Sequence, residues 1–131
     1  MKQEQSMQQT PRAVRVLLVD DQSSMRQWLA LLLEEVGSIQ VVGEAANGRE
    51  GFELTRQLQP DVVLMDIHMP VLDGIRATRL IHAECPTVRV IGLSSMPAEG
   101  EQAAAMREAG AVSYLPKDAP PDTLLAAIRG E

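Results

Sequence analysis

The chain has 131 residues, 45% hydrophobic and 23% charged, with a formal net charge of −6. That length fits one domain with a core large enough to fold alone, and the acidic balance argues against a domain that grips nucleic acid by itself. One cysteine, Cys85, excludes an intramolecular disulfide, and no apolar run approaches the roughly 18 residues of a membrane span. Aromatic residues make up only 2%, so the core must be aliphatic. An aliphatic core suits a parallel sheet covered by helices.

Residues 1–12 are polar and Gln-rich, lack the apolar segment of a secretory signal, and read as a flexible arm. Residues 13–131 are then the single folded unit. Residues 13–19 are apolar and β-branched and predict strand 1, followed by Asp20 and Asp21 in a loop. Ser23 or Ser24 is placed to cap helix 1, whose apolar positions Met25, Leu29, Leu32, Leu33 and Val36 recur at helical spacing, with Gly37 as the stop. Residues 39–43 predict a short, more polar edge strand 2. Asn47 and Glu50 form a capping-box pattern for helix 2, which Pro60 ends.

Residues 61–65 predict a buried strand 3 that delivers Asp66 to a loop rich in turn residues, 68–74. Helix 3 is expected over 74–84, strand 4 over 88–93, helix 4 over 98–109 and strand 5 over 112–115. Helix 4 is rich in Ala and is expected to pack weakly. Pro120-Pro121 opens helix 5, with Leu124, Leu125 and Ile128 facing in. Five strand–helix units with right-handed crossovers give an α/β, flavodoxin-like, doubly wound five-stranded parallel sheet of order 2-1-3-4-5 with five helices. Its switch point lies between strands 1 and 3, where Asp20, Asp21 and Asp66 converge.

Three carboxylates so close repel one another, and a hard divalent cation is the natural compensation. An all-oxygen set of this kind suits Mg²⁺. Two carboxylates can hold the ion while an oxygen of the third attacks phosphorus to give an acyl phosphate. Lys117, after strand 5, can supply a cation for the phosphoryl oxygens, and Ser94, after strand 4, a hydroxyl. The Gly43-to-Gly48 segment lacks the Lys-Ser/Thr of a phosphate-binding loop. His82 and Cys85 have ligand-like spacing, but two ligands do not make a structural zinc site.

The set VDD (19–21), MDIHMPVLDG (65–74), Ser94 and YLPKDA (114–119) resembles the receiver domain of a bacterial two-component response regulator. The resemblance covers about residues 13–129, and VVGEAANG, PDVVLMD and KDAPPDTLLAAIR look most like receivers attached to LuxR-type helix-turn-helix domains. It implies Asp66 as phosphoacceptor, Mg²⁺ on Asp20, Asp21, Asp66 and the backbone carbonyl of His68, Lys117 and Ser94 on the phosphoryl group, and Tyr114 as an aromatic switch that rotates inward. It implies a phosphohistidine donor on a sensor kinase or phosphotransfer protein, and a cytoplasmic switch rather than an enzyme with its own substrate. The expected surfaces are helix 4–strand 5–helix 5, with helix 1–helix 5 as an alternative dimer face. Output is expected in transcription, through a domain beyond this chain, or in direct protein contact by a stand-alone receiver.

Three positions depart from the usual pattern. Ser94 stands where Thr is commoner, His68 puts an imidazole two residues after Asp66, and Trp28 lies on helix 1, where with Leu31 it forms an apolar pair. A competing reading is an aspartyl-phosphate phosphohydrolase, which wants an Asp-x-Asp arrangement that adjacent Asp20 and Asp21 do not provide.

Overall fold

The central strands form because their residues alternate between two apolar layers. The computed structural model describes residues 12–95 and 100–131. Strands β1 (Val14–Val19), β2 (Ile39–Ala45), β3 (Val62–Asp66), β4 (Arg89–Ser94) and β5 (Ser113–Pro116) pair in parallel in the order β2-β1-β3-β4-β5. Helices α1 (Ser23–Glu34), α2 (Gly48–Leu58), α3 (Gly74–Glu84), α4 (Glu101–Ala109) and α5 (Pro121–Arg129) cover the two faces.

Val16, Leu18, Val62 and Leu64 point to one face, where they meet Leu29 and Leu33 of α1 and Leu124 and Ile128 of α5. The intervening Leu17, Val19, Val63 and Met65 point to the other, against Phe52 of α2, Ala77 and Ile81 of α3 and Met106 of α4. Each such fully buried aliphatic side chain contributes about 1.5–3 kcal/mol. The predicted sheet order is the observed one, and β1 and β3 lie side by side at its centre.

Several boundaries differ for identifiable reasons. Neither Ser23 nor Ser24 caps α1: Gln22 occupies the N-cap without a side-chain bond, because Asp20 Oδ1 accepts the Gln22 amide at 2.9 Å and turns the chain earlier. The C-cap is Glu35, so Val36 and Gly37 lie beyond the helix. Strand β2 runs to Ala45 instead of stopping at Gly43. Register passes from Val16↔Val41 to Leu17↔Gly43, so Val42 is an extra residue that lets the strand continue until Ala45 O accepts the Asp20 amide. Its expected place at the sheet edge holds.

Strand β3 begins at Val62, not residue 61, and the Asp61 carboxylate instead accepts the Arg15 amide of β1 at 2.8 Å. Arg12, assigned to the arm, pairs with Asp61 at 3.0 Å, while residues 1–11 lie outside the described ones. The expected start of helix 4 at residue 98 also lies outside them. The α4 that is described buries Ala103, Met106 and Ala109. Asn47 caps α2 as expected, accepting the Glu50 amide at 2.8 Å, while Glu50 returns a bond to the Ala46 amide at 2.7 Å. Leu125 is only partly buried.

Among the described residues, the loop after β3 holds the one non-glycine turn in which a β-branched residue has positive φ. Val71 has φ of 71°, and Leu72 N donates to Pro70 O at 2.8 Å across it. This is the strained form of the γ-turn, which a branched side chain disfavours. Val71→Gly is expected to raise stability by about 1 kcal/mol. Urea unfolding checks this, and a loss of stability would show that the turn carries no strain.

Candidate functional site

The ends of three strands converge on one rim of the sheet. Asp20 follows β1, Asp66 ends β3 and Lys117 follows β5. Asp20 and Asp66 are buried, and Asp21 beside them is exposed. Oxygens of Asp20, Asp21 and Asp66 all lie within 4.8 Å of one another. Lys117 Nζ lies 2.8 Å from Asp20 Oδ2 and 3.5 Å from Asp66 Oδ1. The Lys117 amide donates to Ser94 O at 2.7 Å, which draws the loop after β5 onto the end of β4.

Burial gives these groups unusual acidities. Desolvation, reinforced by the Asp20 charge, raises the Asp66 carboxyl to about 6, although Lys117 and the Ile67 amide pull the other way. Burial alone would lower Lys117, but the hydrogen bond to Asp20 and the charges of Asp66 and Asp20 outweigh it and hold the ammonium protonated. Among the described residues, Lys117 is the cation that pairs with the carboxylates of this cluster. The oxygen donors and the surplus negative charge fit a hard divalent ion.

The other expected residues are placed as follows. Ser94 is buried at the end of β4, one residue beyond Leu93, which stands opposite Asp66. Tyr114 already lies inside, its ring against Gly92 of the neighbouring strand. A Cβ on Gly92 would fall 2.7 Å from the Tyr114 ring and 2.8 Å from the Met106 methyl. The buried Tyr114 hydroxyl has no hydrogen-bond partner among the described residues. Tyr114→Phe is therefore expected to leave stability unchanged or raise it by up to about 1 kcal/mol. A loss above that in chemical denaturation would mean the hydroxyl is bonded.

His68 is exposed, and its Nε2 lies 2.9 Å from the side-chain amide of Gln102 near the start of α4. His82 packs on Gly110, and the described residues contain no cluster joining it to Cys85. Sequence reasoning missed two supports. Arg26 donates to the Asp20 carbonyl and pairs with Glu44 at 2.9 Å, so it ties α1 and β2 to the acidic loop. Gly48 and Gly74 pin the loop after Asp66: Gly48 N donates to Leu72 O and Gly74 N to Ile67 O. Arg26 carries no local signal, whereas the two glycines stand beside helix-start signals at Asn47 and Asp73.

Comparison with known sequences decides the family. The pattern described as the response regulator receiver domain matches residues 16–129. The chain belongs to that family. It is 45% identical over 113 residues to a protein-glutamate methylesterase/protein-glutamine glutaminase of Geobacter sulfurreducens, covering 86% of this chain and 31% of that protein. It is 40% identical over 115 residues to the transcriptional regulatory protein LnrK of Bacillus subtilis, covering 88% and 52%. A crystal structure of a LuxR-family two-component response regulator from Aurantimonas superposes with a TM-score of 0.83 at 34% identity, covering 90% of this chain and 84% of that one. The receiver therefore spans between about a third and a half of the curated relatives it matches. Its likeness to LuxR-type receivers holds, and methylesterase receivers are also close.

Receiver domains take part in two-component signalling, meet histidine kinases or phosphotransfer partners, and hold Mg²⁺ at an acidic pocket. They are generally not enzymes in their own right. Among the described residues one group of three or more potential ligands has metal-binding geometry, that of Asp20, Asp21 and Asp66. No helix among them is long and apolar enough to cross a membrane.

Proposed function

We propose that Asp66 is the phosphoacceptor of this receiver, and that Asp20, Asp21, Asp66 and the His68 backbone carbonyl hold Mg²⁺ beside it. The observation that carries this reading is Asp66, buried at the end of β3 with Lys117 Nζ 3.5 Å from its oxygen and two further aspartates within 4.8 Å. Bound Mg²⁺ would screen the carboxylates from one another and from the incoming phosphoryl oxygens. Asp66, ionised, attacks phosphorus. The phosphorus–nitrogen bond to the donor imidazole breaks, and that imidazole leaves with the bonding pair. Lys117 meets the negative charge of the transferred group, and Ser94 donates its hydroxyl to it. The receiver assists both this transfer and its own slow dephosphorylation.

The acyl phosphate adds charge and strong acceptors where Ser94 and Lys117 converge. Because Lys117 N is bonded to Ser94 O, a shift of either moves the β4 and β5 ends together. Tyr114 lies on β5 opposite Gly92 and is placed to follow that shift. The surface that changes is α4-β5-α5, with α1-α5 as an alternative dimer face. The likeness to LnrK and to a LuxR-family regulator supports an output in transcription through a further domain in the cytoplasm. The likeness to a methylesterase, of which this chain covers 31%, fits equally an enzymatic output domain beyond the receiver, and a stand-alone receiver acting by protein contact is the alternative.

Incubation with a small-molecule phosphoryl donor and Mg²⁺ tests the reading. One phosphoryl group per chain is expected by mass spectrometry, located on Asp66 and not formed when a chelator is present from the start. Unchanged labelling of a Lys117→Gln variant would refute the role given to the lysine, and labelling of another residue would refute the role of Asp66.

A further inference from the structure

The receiver carries two exposed apolar faces of opposite charge, one on each side of its sheet. On α1, Trp28 is 45% and Leu31 66% exposed; exposed Glu35 continues that side of the helix, and exposed Glu34 flanks it beside Leu31. Trp28, Leu31 and Glu35 recur at i, i+3 and i+7, so they form one strip. Trp28 is the only tryptophan of a chain with 2% aromatic residues. A chain this poor in aromatics has placed its largest side chain partly in solvent. Neither Glu34 nor Glu35 has an ion-pair partner among the described residues.

The second face surrounds α3. Leu72, Arg76, Arg79 and Leu80 line a groove of about 320 Å³, and Val71, the chain neighbour of Leu72, is 78% exposed. Arg76 shares one carboxylate, Asp73, at 3.7 Å, and Arg79 has no ion-pair partner among the described residues. In a chain of net charge −6, this is an apolar groove with two arginines at its lip.

We propose that the α1 face of one copy docks into the α3 groove of another, with the Trp28 ring in the groove between Arg76 and Arg79 and with Glu34 and Glu35 facing those arginines. The occupant is a second copy because the two faces complement each other in both terms: apolar against apolar, two carboxylates against two guanidiniums. Trp and Arg are the residue types that dominate interface energies, and guanidinium over indole adds a cation–π contribution. Helices α1 and α3 lie on opposite faces of the sheet, so one copy cannot satisfy itself. The contact is heterologous, head to tail, and extends into rings or open chains instead of closing as a two-fold dimer. It thereby differs from dimers through α1-α5 or α4-β5-α5, in which each face meets its own kind.

Complementation between two variants tests the geometry. Glu34→Arg with Glu35→Arg disables the first face, and Arg76→Glu with Arg79→Glu disables the second. All four positions are exposed, and circular dichroism checks each fold. In sedimentation velocity, the wild-type coefficient is expected to rise with concentration while Trp28 emission moves to the blue. Each variant alone is expected to lose this by more than tenfold in concentration, because two facing charge pairs become repulsive. An equimolar mixture is expected to recover association, because the unchanged arginines of the first variant meet the unchanged glutamates of the second and the two reversed faces are complementary as well. A flat wild-type series overturns the proposal and leaves the faces to other partners. So does a variant that still associates as wild type, which would place the contact on another face, and so does a mixture that stays monomeric, which would mean like meets like.

Discussion

Asp66→Asn is expected to abolish phosphoryl acceptance and, in metal-free protein, to make the fold more stable at neutral pH. The first effect follows because an amide oxygen is neither anionic nor able to form the acyl phosphate. The second follows from linkage. Burial and the Asp20 charge raise the Asp66 carboxyl to about 6 in the folded protein, above its ordinary value. Between about pH 4 and pH 6 the folded state therefore binds more protons than the unfolded one, and stability falls as pH rises through that window. The upper bound of that loss is about 3 kcal/mol. Lys117 loses a partner in the variant, so the gain at pH 7.5 is expected to be about 1–2 kcal/mol. Urea unfolding from pH 4 to 8 in a chelator checks this: the wild type should slope downward with pH and the variant should slope less. A variant less stable than wild type at pH 7.5 would show that the acidic cluster is not the source of strain. Adding Mg²⁺ is expected to stabilise the wild type more than the variant, since the ion offsets the charge that Asn lacks.

Gly74→Ala is expected to cost about 3 kcal/mol or more and to lower acceptance at Asp66 by about 100-fold. Gly74 is the first residue of α3, and its amide donates to Ile67 O at 2.8 Å. A Cβ there would fall 2.0 Å from the Asp66 carbonyl oxygen, 2.8 Å from Ile67 Cα and 2.9 Å from the Asp66 carbonyl carbon. All three are backbone atoms, so no rotamer change relieves the clash. Either α3 withdraws or the end of β3 moves, and the second displaces the carboxylate itself. Gly37→Ala is the control, since nothing lies within 4 Å of its Cβ. Thermal unfolding and the labelling rate should change for Gly74→Ala and stay for Gly37→Ala. Equal behaviour of the two would remove the close approach as a constraint on the site.

These two residues also show how legible the chain was. Asp66 was readable because it ends a run, VVLM, that only a central strand can bury, and because Asp20 and Asp21 end a second such run. The parallel order followed from five strand–helix alternations, and it put the acidic residues at one rim without any contact being known. Gly74 looked like a turn residue because its neighbour in space is the backbone of Asp66, eight positions earlier, and a close approach of two backbones leaves no periodic trace. Arg89 is similar: it fell inside the run expected as strand 4 with no role of its own, yet it donates to the Ala127 and Ile128 carbonyls and seats the C-terminal end of α5. The serines that open α1 looked like caps, yet Asp20 turns the chain first.

Hydrophobic period and the position of charged residues at strand ends are local properties, and they sufficed for the fold class and the acidic triad, while the family came from the resemblance carried by the motifs around those residues. Distances between side chains on different strands are not local. Folding alone set Lys117 between Asp20 and Asp66, turned Tyr114 inward over Gly92, and brought His68 to Gln102. It also left Trp28 and the Arg76–Arg79 groove on opposite faces, because exposure depends on which elements cover a helix and not on the helix's own pattern. The unusual acidity of Asp66 belongs to the same class: it arises from desolvation by neighbours that arrive only when the sheet is closed on both sides by helices.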